Sequence, residues 1–164
     1  MIFVTVGTHD QGFERLVKAA DELATLVEEK VLIQKGCTKY QPIFADHFCY
    51  ANSQEINDFI QQASVVVSQA SAGTIINVLS LKKPLVVIPR LKKFKENWTD
   101  HQVELARALA AQKIAFAILS EELSGAILRD ALARVHQFLP PFDSSAQLIR
   151  ALREQLKILE QQMG

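Results

Sequence analysis

The stretch that most constrains the fold is residues 64–89, Ser-Val-Val-Val-Ser-Gln-Ala-Ser-Ala-Gly-Thr-Ile-Ile-Asn-Val-Leu-Ser-Leu-Lys-Lys-Pro-Leu-Val-Val-Ile-Pro. Its opening run, 65–67, is short and wholly β-branched, the composition of a strand buried on both faces of a parallel sheet. Small and polar residues with one glycine follow at 68–74. Ile75, Ile76, Val78, Leu79 and Leu81 then fall at helical spacing. Pro84 stops that helix, and a second apolar run occupies 85–88. The unit reads as strand, tight turn, helix, strand. That order predicts an α/β fold, a Rossmann-like parallel sheet with helices on both faces.

The turn carries the first functional expectation. The leading N–H groups of a helix lack internal partners, so a turn thinned by Gly73 can receive a phosphate or another anion. Ser68, Ser71 and Thr74 add hydroxyl donors beside it. A purely structural role fits the same residues, because Ser71 or Thr74 in that position also caps a helix.

Length and charge narrow the alternatives. At 164 residues the chain reads as a single domain over 1–164, large enough to need no disulfide. Eighteen basic residues balance eighteen acidic ones, so no field favours nucleic acid. Cys37 and Cys49 lack metal-ligand spacing and lie in or beside apolar runs, as reduced core or near-core thiols of a cytosolic protein do. Residues 1–6 have neither the charged start nor the length of a signal or membrane segment. The expected location is cytoplasmic.

Around the central unit the same periodicities predict a strand at 2–6, a helix from Phe13 to about Glu29, and strands at 31–34 and 43–50. A helix at 53–62 has Ser53 as its cap and Ile56, Phe59 and Ile60 facing inward. Asp100 is positioned to cap a helix with Leu105, Ala106 and Leu109 inside. A strand at 115–119, a helix at 121–138 closed by Pro140-Pro141, and a last helix over 144–162 complete the chain. Ile149, Leu152, Leu156, Leu159 and Met163 form a narrow seam on that last helix, fit for the sheet or for a partner. The loop from Arg90 to Asp100 follows a strand's carboxyl end, where α/β sheets bind ligands, yet its mixed charge equally suits solvated surface. His9, between Gly7 and Gly12, is a candidate for proton transfer or an exposed loop residue. His101 reads as a helix start, and His47 and His136 as surface. Neither a Gly-x-Gly-x-x-Gly turn nor a Gly-Lys-Ser/Thr loop is present, against a dinucleotide oxidoreductase and an ATPase.

Four blocks together resemble a known family: Val4-Thr5-Val6-Gly7-Thr8, residues 68–74, Lys83-Pro84-Leu85-Val86-Val87-Ile88-Pro89-Arg90, and His101-Gln102-Val103-Glu104-Leu105-Ala106. They are similar, in order and spacing, to the signature blocks of the carboxyl-terminal domain of glycosyltransferase family 28. Length and first block resemble the stand-alone small subunits of two-part N-acetylglucosaminyl and exopolysaccharide transferases. The resemblance implies the donor-binding half of a GT-B enzyme, transferring a sugar from a uridine-diphosphate sugar without a cofactor or dedicated metal site. A membrane-anchored subunit would hold the lipid-linked acceptor and keep this chain at the inner face of the membrane, where Lys92, Lys93 and Lys95 would face anionic lipid. It further implies a diphosphate at Ser71, Ala72, Gly73 and Thr74, donor contacts from Ser68, Gln69, Asn77, Arg90, Gln102 and Glu104, and Gly7, Thr8 and His9 along the cleft.

Three positions depart from the family pattern, which has His at Gln69, Gly at Ser71 and Glu at Asn77. An amide in place of that carboxylate forgoes charge-assisted bonds to ribose hydroxyls. The residues therefore leave a second reading beside the catalytic one, a degenerate scaffold or regulatory subunit that keeps the fold and the partner surface.

Overall fold

The computed structural model describes residues 1–138 together with Arg150 and Glu154. The expected helix over 144–162, its seam and Pro140-Pro141 lie outside the described residues apart from those two. Six parallel strands form one sheet: β1 (Ile2–Thr5), β2 (Val31–Gln34), β3 (Asp46–Phe48), β4 (Val65–Gln69), β5 (Leu85–Ile88) and β6 (Phe116–Ala117). Their order is β3-β2-β1-β4-β5-β6. The chain therefore reverses direction across the sheet between β1 and β4.

Alternation along the strands sorts the core into two layers. Ile2, Val4, Val65, Val67, Val86 and Ile88 point to one face, where α1 (Glu14–Ala24) and α5 (Gly125–Val135) cover them with Leu16, Leu23 and Leu128. Phe3, Val66, Leu85 and Val87 point to the other. There α2 (Ser53–Gln62), α3 (Ala72–Ser80) and α4 (His101–Ala111) contribute Ile60, Ile75, Val78, Leu105 and Leu109. Helices on both faces follow because the buried strands are apolar on both.

Several boundaries differ from the periodicity, each for a local reason. The first helix ends at Ala24, not near Glu29. There Thr25 and Leu26 N–H bond three residues back, and residues 25–30 turn the chain so that Lys30 O can accept from Ile2 N–H at 2.8 Å. The third strand keeps only Asp46–Phe48 of 43–50. Ile43, Phe44 and Ala45 give their N–H groups to the Asp21 carboxylate at 2.8–3.0 Å instead, and Ile43 and Phe44 face solvent. Asn52, not Ser53, caps α2: its side chain accepts from Glu55 N–H and the Glu55 carboxylate accepts from Asn52 N–H, a reciprocal capping box. The Asp100 carboxylate turns from α4 to accept from Lys92 N–H at 2.9 Å.

At the sheet's far edge, Phe116–Ala117 alone pair as a strand within 115–119. The helix expected from 121 begins at Gly125 behind a Ser124 cap and passes into a 3-10 turn at His136–Phe138. Gly125 is placed by contact rather than by tolerance, since a Cβ there would meet Leu23 N at 2.7 Å. Cys37 and Cys49, expected in or near the core, are exposed, because both lie past the ends of β2 and β3.

Asp21 is 1 % exposed yet ionised in character. Burial pushes its pKa up, but bonds from the N–H groups of Ile43, Ala45 and Phe44 and from the Tyr40 hydroxyl outweigh that and hold it below the ordinary 3.8. Asp21→Ala is expected to cost about 2–3 kcal/mol in urea unfolding at pH 7. A lowered folded pKa contributes stability that is complete above the ordinary carboxylate range and lost as pH falls through the folded value. The stability gap between wild type and Asp21→Ala should thus hold constant from pH 8 to pH 5 and narrow below about pH 4.

Candidate functional site

A cavity of about 610 Å³ opens at the carboxyl ends of β1, β2 and β4, over the point where the strand order reverses. Strand connections diverge there and leave a crevice, the ordinary ligand position in open α/β sheets. Eight residues singled out in the sequence line it. Gly7, Thr8 and His9 come from the loop after β1, Gln69 from the end of β4, Ser71, Thr74 and Asn77 from α3, and Gln102 from α4. Spacing of three residues puts the α3 trio along one side of its helix.

The start of α3 is open. Ser71 occupies the cap position in an extended conformation with no side-chain capping bond. Among the described residues nothing accepts from the N–H groups of Ala72, Gly73 and Thr74. Those three donors and the positive end of the helix dipole are free for an anion. Ala72 and Gly73 do not themselves line the cavity, and a Cβ on Gly73 would touch nothing within 4 Å. Gly73 is therefore not required by the protein's own packing. Ser68 is fully buried in β4, its hydroxyl donating to Gln69 O at 2.9 Å.

Arg90 stands behind the cavity wall, fully buried. Its Nε donates to Gln69 Oε1, Nη1 to Gln11 O at 2.8 Å, Gly12 O at 3.0 Å and Glu96 O at 3.0 Å, and Nη2 to Val6 O at 2.9 Å. The guanidinium also packs 4.8 Å from the Phe13 ring centroid. Burial lowers its pKa to about 10, with Glu96 opposing, so it stays charged at neutral pH. Glu96 is in turn held by Arg15, whose Nε and Nη2 donate to the carboxylate at 3.1 and 3.0 Å. A second Nη2 bond runs to Pro89 O at 3.0 Å. This frame ties the loops after β1 and β5 to each other.

Glu104 faces elsewhere. Two residues along a helix turn about 200°, so Glu104 and Gln102 cannot share a face. Glu104 instead lines a separate depression of about 360 Å³ with Lys93, Asp100 and Arg107. Lys93 pairs there with Glu121. His101 opens α4 and is exposed. His9 Nδ1 accepts from Gln11 N–H at 3.1 Å, which leaves the proton of the neutral ring on Nε2.

Sequence reasoning missed Thr5, Gln34, Ser53, Asn57 and Ile60 in the cavity lining. Thr5 and Gln34 pair in register as the last residues of two otherwise apolar strands, and that polar ending was the readable signal. Asn57 carried none, since only the docking of α2 aims it at Asn77, which donates to it at 2.7 Å. Among the described residues no Lys, Arg, Asp or Glu lines the cavity, and no group of three or more His, Cys, Asp or Glu is arranged to hold a metal ion. The chemistry on offer is that of neutral donors and a helix end.

Replacing Arg90 with Met strands four backbone carbonyls and is expected to cost at least about 3 kcal/mol in urea unfolding. Lys92→Met in the same loop should stay within about 0.5 kcal/mol.

Comparison with known proteins adds a family. The model of the glycosyltransferase family 28 C-terminal domain matches residues 1–159. The chain is 33% identical over 119 residues to the human (Homo sapiens) UDP-N-acetylglucosamine transferase subunit ALG13, covering 66% of this chain and 10% of that protein. It is 31% identical over 90 residues to the Geobacillus kaustophilus UDP-N-acetylglucosamine--N-acetylmuramyl-(pentapeptide) pyrophosphoryl-undecaprenol N-acetylglucosamine transferase, covering 55% of this chain and 24% of that one. The chain thus spans a quarter or less of the length of either relative. The NMR structure of ALG13 superposes with a TM-score of 0.60 at 17% identity, covering 92% of this chain and 94% of that one, a likeness of fold.

Proposed function

The chain belongs to the family of glycosyltransferase family 28 C-terminal domains, and from that premise we propose that it is the donor-binding catalytic half of a two-part glycosyltransferase. The observation that carries this reading is the uncapped start of α3, opening on a cavity at the strand-order reversal. The donor is a uridine-diphosphate sugar, and N-acetylglucosamine is the sugar that the relatives' names favour. A membrane-anchored partner holds a lipid-linked acceptor of the kind used in exopolysaccharide assembly. The subunit wording of one relative's name supports a partner, and the undecaprenol of the other supports a lipid-linked acceptor. Attachment at the cytoplasmic face comes through that partner, since among the described residues no helix is long and apolar enough to cross a membrane.

In this reading the acceptor hydroxyl attacks the anomeric carbon as its bond to the β-phosphate oxygen breaks. Negative charge then grows on the departing diphosphate. The free N–H groups of Ala72, Gly73 and Thr74 stabilise that charge without reorganising, with the hydroxyls of Ser71 and Thr74 beside them. Asn77 lies on the same side of α3 as Ser71 and Thr74, about 7.5 Å along the helix from Ala72, and would face the ribose. His9, on the loop after β1, presents Nε2–H to the cleft and can orient the acceptor hydroxyl as a donor, and the base that takes the hydroxyl proton is supplied by the partner.

A second reading, the non-catalytic scaffold, draws on Asn77, whose amide donates to Asn57 rather than standing free. Ligand-observed NMR of the chain with uridine diphosphate, its sugar conjugates, ADP and NAD separates the two. Selective binding of uridine nucleotides is expected. Gly73→Ala leaves the free protein unstrained but sets a methyl where the diphosphate approaches, so a loss of about tenfold or more in affinity is expected. If neither the chain nor its complex with the acceptor subunit binds any uridine nucleotide, the scaffold reading replaces the catalytic one.

A further inference from the structure

Three glutamines line the cavity, and each has its carbonyl oxygen already occupied by a protein donor. Gln69 Oε1 accepts from Arg90 Nε, and Gln102 Oε1 accepts from Arg90 N–H at 3.0 Å. Gln34 Oε1 accepts from the Thr5 hydroxyl at 2.5 Å, and that hydroxyl oxygen itself accepts from Gly7 N–H at 3.1 Å. The polarity follows from chemistry. An arginine N–H and a backbone N–H can only donate, so the amides facing them present oxygen to the protein and nitrogen to the cavity. The Gly7 N–H occupies one lone pair of Thr5, and the 2.5 Å separation from Gln34 is an O–H···O distance, too short for N–H···O, which sets the amide oxygen of Gln34 against Thr5.

The three NH₂ groups are left over. Among the described residues none has an acceptor, although Gln34 is 3% and Gln69 5% exposed. Neither nitrogen is sealed inside protein, so what accessibility these two buried side chains keep is toward the cavity they line. Gly7, with φ of +71°, makes room for one of them: a Cβ there would come within 2.1 Å of Gln69 Nε2.

We propose that Gln34 is a specificity-determining residue, which completes with the already expected donor contacts Gln69 and Gln102 an uncharged donor set reading oxygen acceptors of the bound ligand, and that Arg90 and Thr5 are the positioning residues that aim it. The proposal rests on the uridine-diphosphate-sugar reading for the identity of the ligand. Gln69 and Gln102 lie beside the α3 terminus and address oxygens next to the diphosphate. Gln34 ends a strand two places from β4, about 10 Å from Gln69 by strand spacing, too far to share one group. It reads a second, neutral oxygen of the same ligand, a carbonyl of the base or of an acylated sugar.

The test uses Gln→Glu substitutions. A glutamate at 69 or 34 still offers an oxygen to Arg90 or Thr5, but it turns the NH₂ facing the cavity into a second carboxylate oxygen. Binding of UDP-N-acetylglucosamine, UDP and inorganic pyrophosphate is measured by NMR, with thermal unfolding in parallel. Gln69→Glu is expected to weaken UDP-N-acetylglucosamine binding at least tenfold while the melting temperature holds or rises, which a structural role alone would not produce. Gln34→Glu should weaken UDP and the sugar nucleotide equally if Gln34 reads the base, and the sugar nucleotide alone if it reads the sugar. Gln34→Met, which removes the donor without adding charge, should show a smaller loss in the same ligands. Wild-type affinity in Gln69→Glu or in Gln34→Met overturns the donor set and leaves the proposed function standing. Pyrophosphate binding without uridine-nucleotide binding overturns the proposed ligand but not the donor set, provided Gln69→Glu abolishes it. No binding of any of the three probes to the wild type, alone or in complex with the acceptor subunit, overturns both.

Discussion

The buried guanidinium of Arg90 is the contact on which the site's architecture depends. A sheet of this order leaves its ligand crevice between loops that belong to different strands, and nothing in the strands themselves fixes one loop against another. Arg90 does so from the end of β5, reaching the loop after β1 at Val6, Gln11 and Gly12 and its own loop at Glu96. It also orients one glutamine from β4 and another from α4. A planar group with five donors suits this junction, because it meets several carbonyls in fixed directions at once. The charge is supported by Glu96 nearby, and Arg15 holds that carboxylate from α1.

Much of the architecture was legible in the residues. β-Branched runs marked β2, β4 and β5, and the small-residue turn at 68–74 located the helix start that opens the cavity. The errors occurred where tertiary contact overrides local pattern. Ile43 and Phe44 carry strand-like composition, yet a single carboxylate on a distant helix takes their N–H groups. Gly125 falls inside the helix expected over 121–138, but it is the first residue of the helix that forms and allows close approach to Leu23.

The site was legible in part for the same reason. Residues on the β1 loop, the end of β4 and the start of α3 come together because parallel strands end together, which sequence order alone implies. Arg90 was expected to meet the ligand, since a basic residue after a strand normally can. Its burial depends on carbonyls contributed from residues 6, 11 and 12, whose convergence no local pattern announces. Glu104 was expected as a donor contact with Gln102 from the resemblance of the block at 101–106, and helix geometry separates the two. Asn57 and Gln34 enter from elements whose docking had to be seen.

A cavity walled by amides, hydroxyls and a helix end, and by no Lys, Arg, Asp or Glu among the described residues, has a consequence for ionic strength. Side-chain cations attract an anion from a distance and lose that reach as salt shortens the Debye length to about 8 Å under physiological conditions. Hydrogen-bond dipoles act at contact, where mobile ions do not intervene. An anionic ligand would arrive here without long-range steering, at an ordinary association rate, and be held with an affinity that salt changes little. Selectivity then rests on the shape and donor pattern of the cavity rather than on net charge, so abundant anions such as chloride and free phosphate compete poorly with a ligand that fills its length.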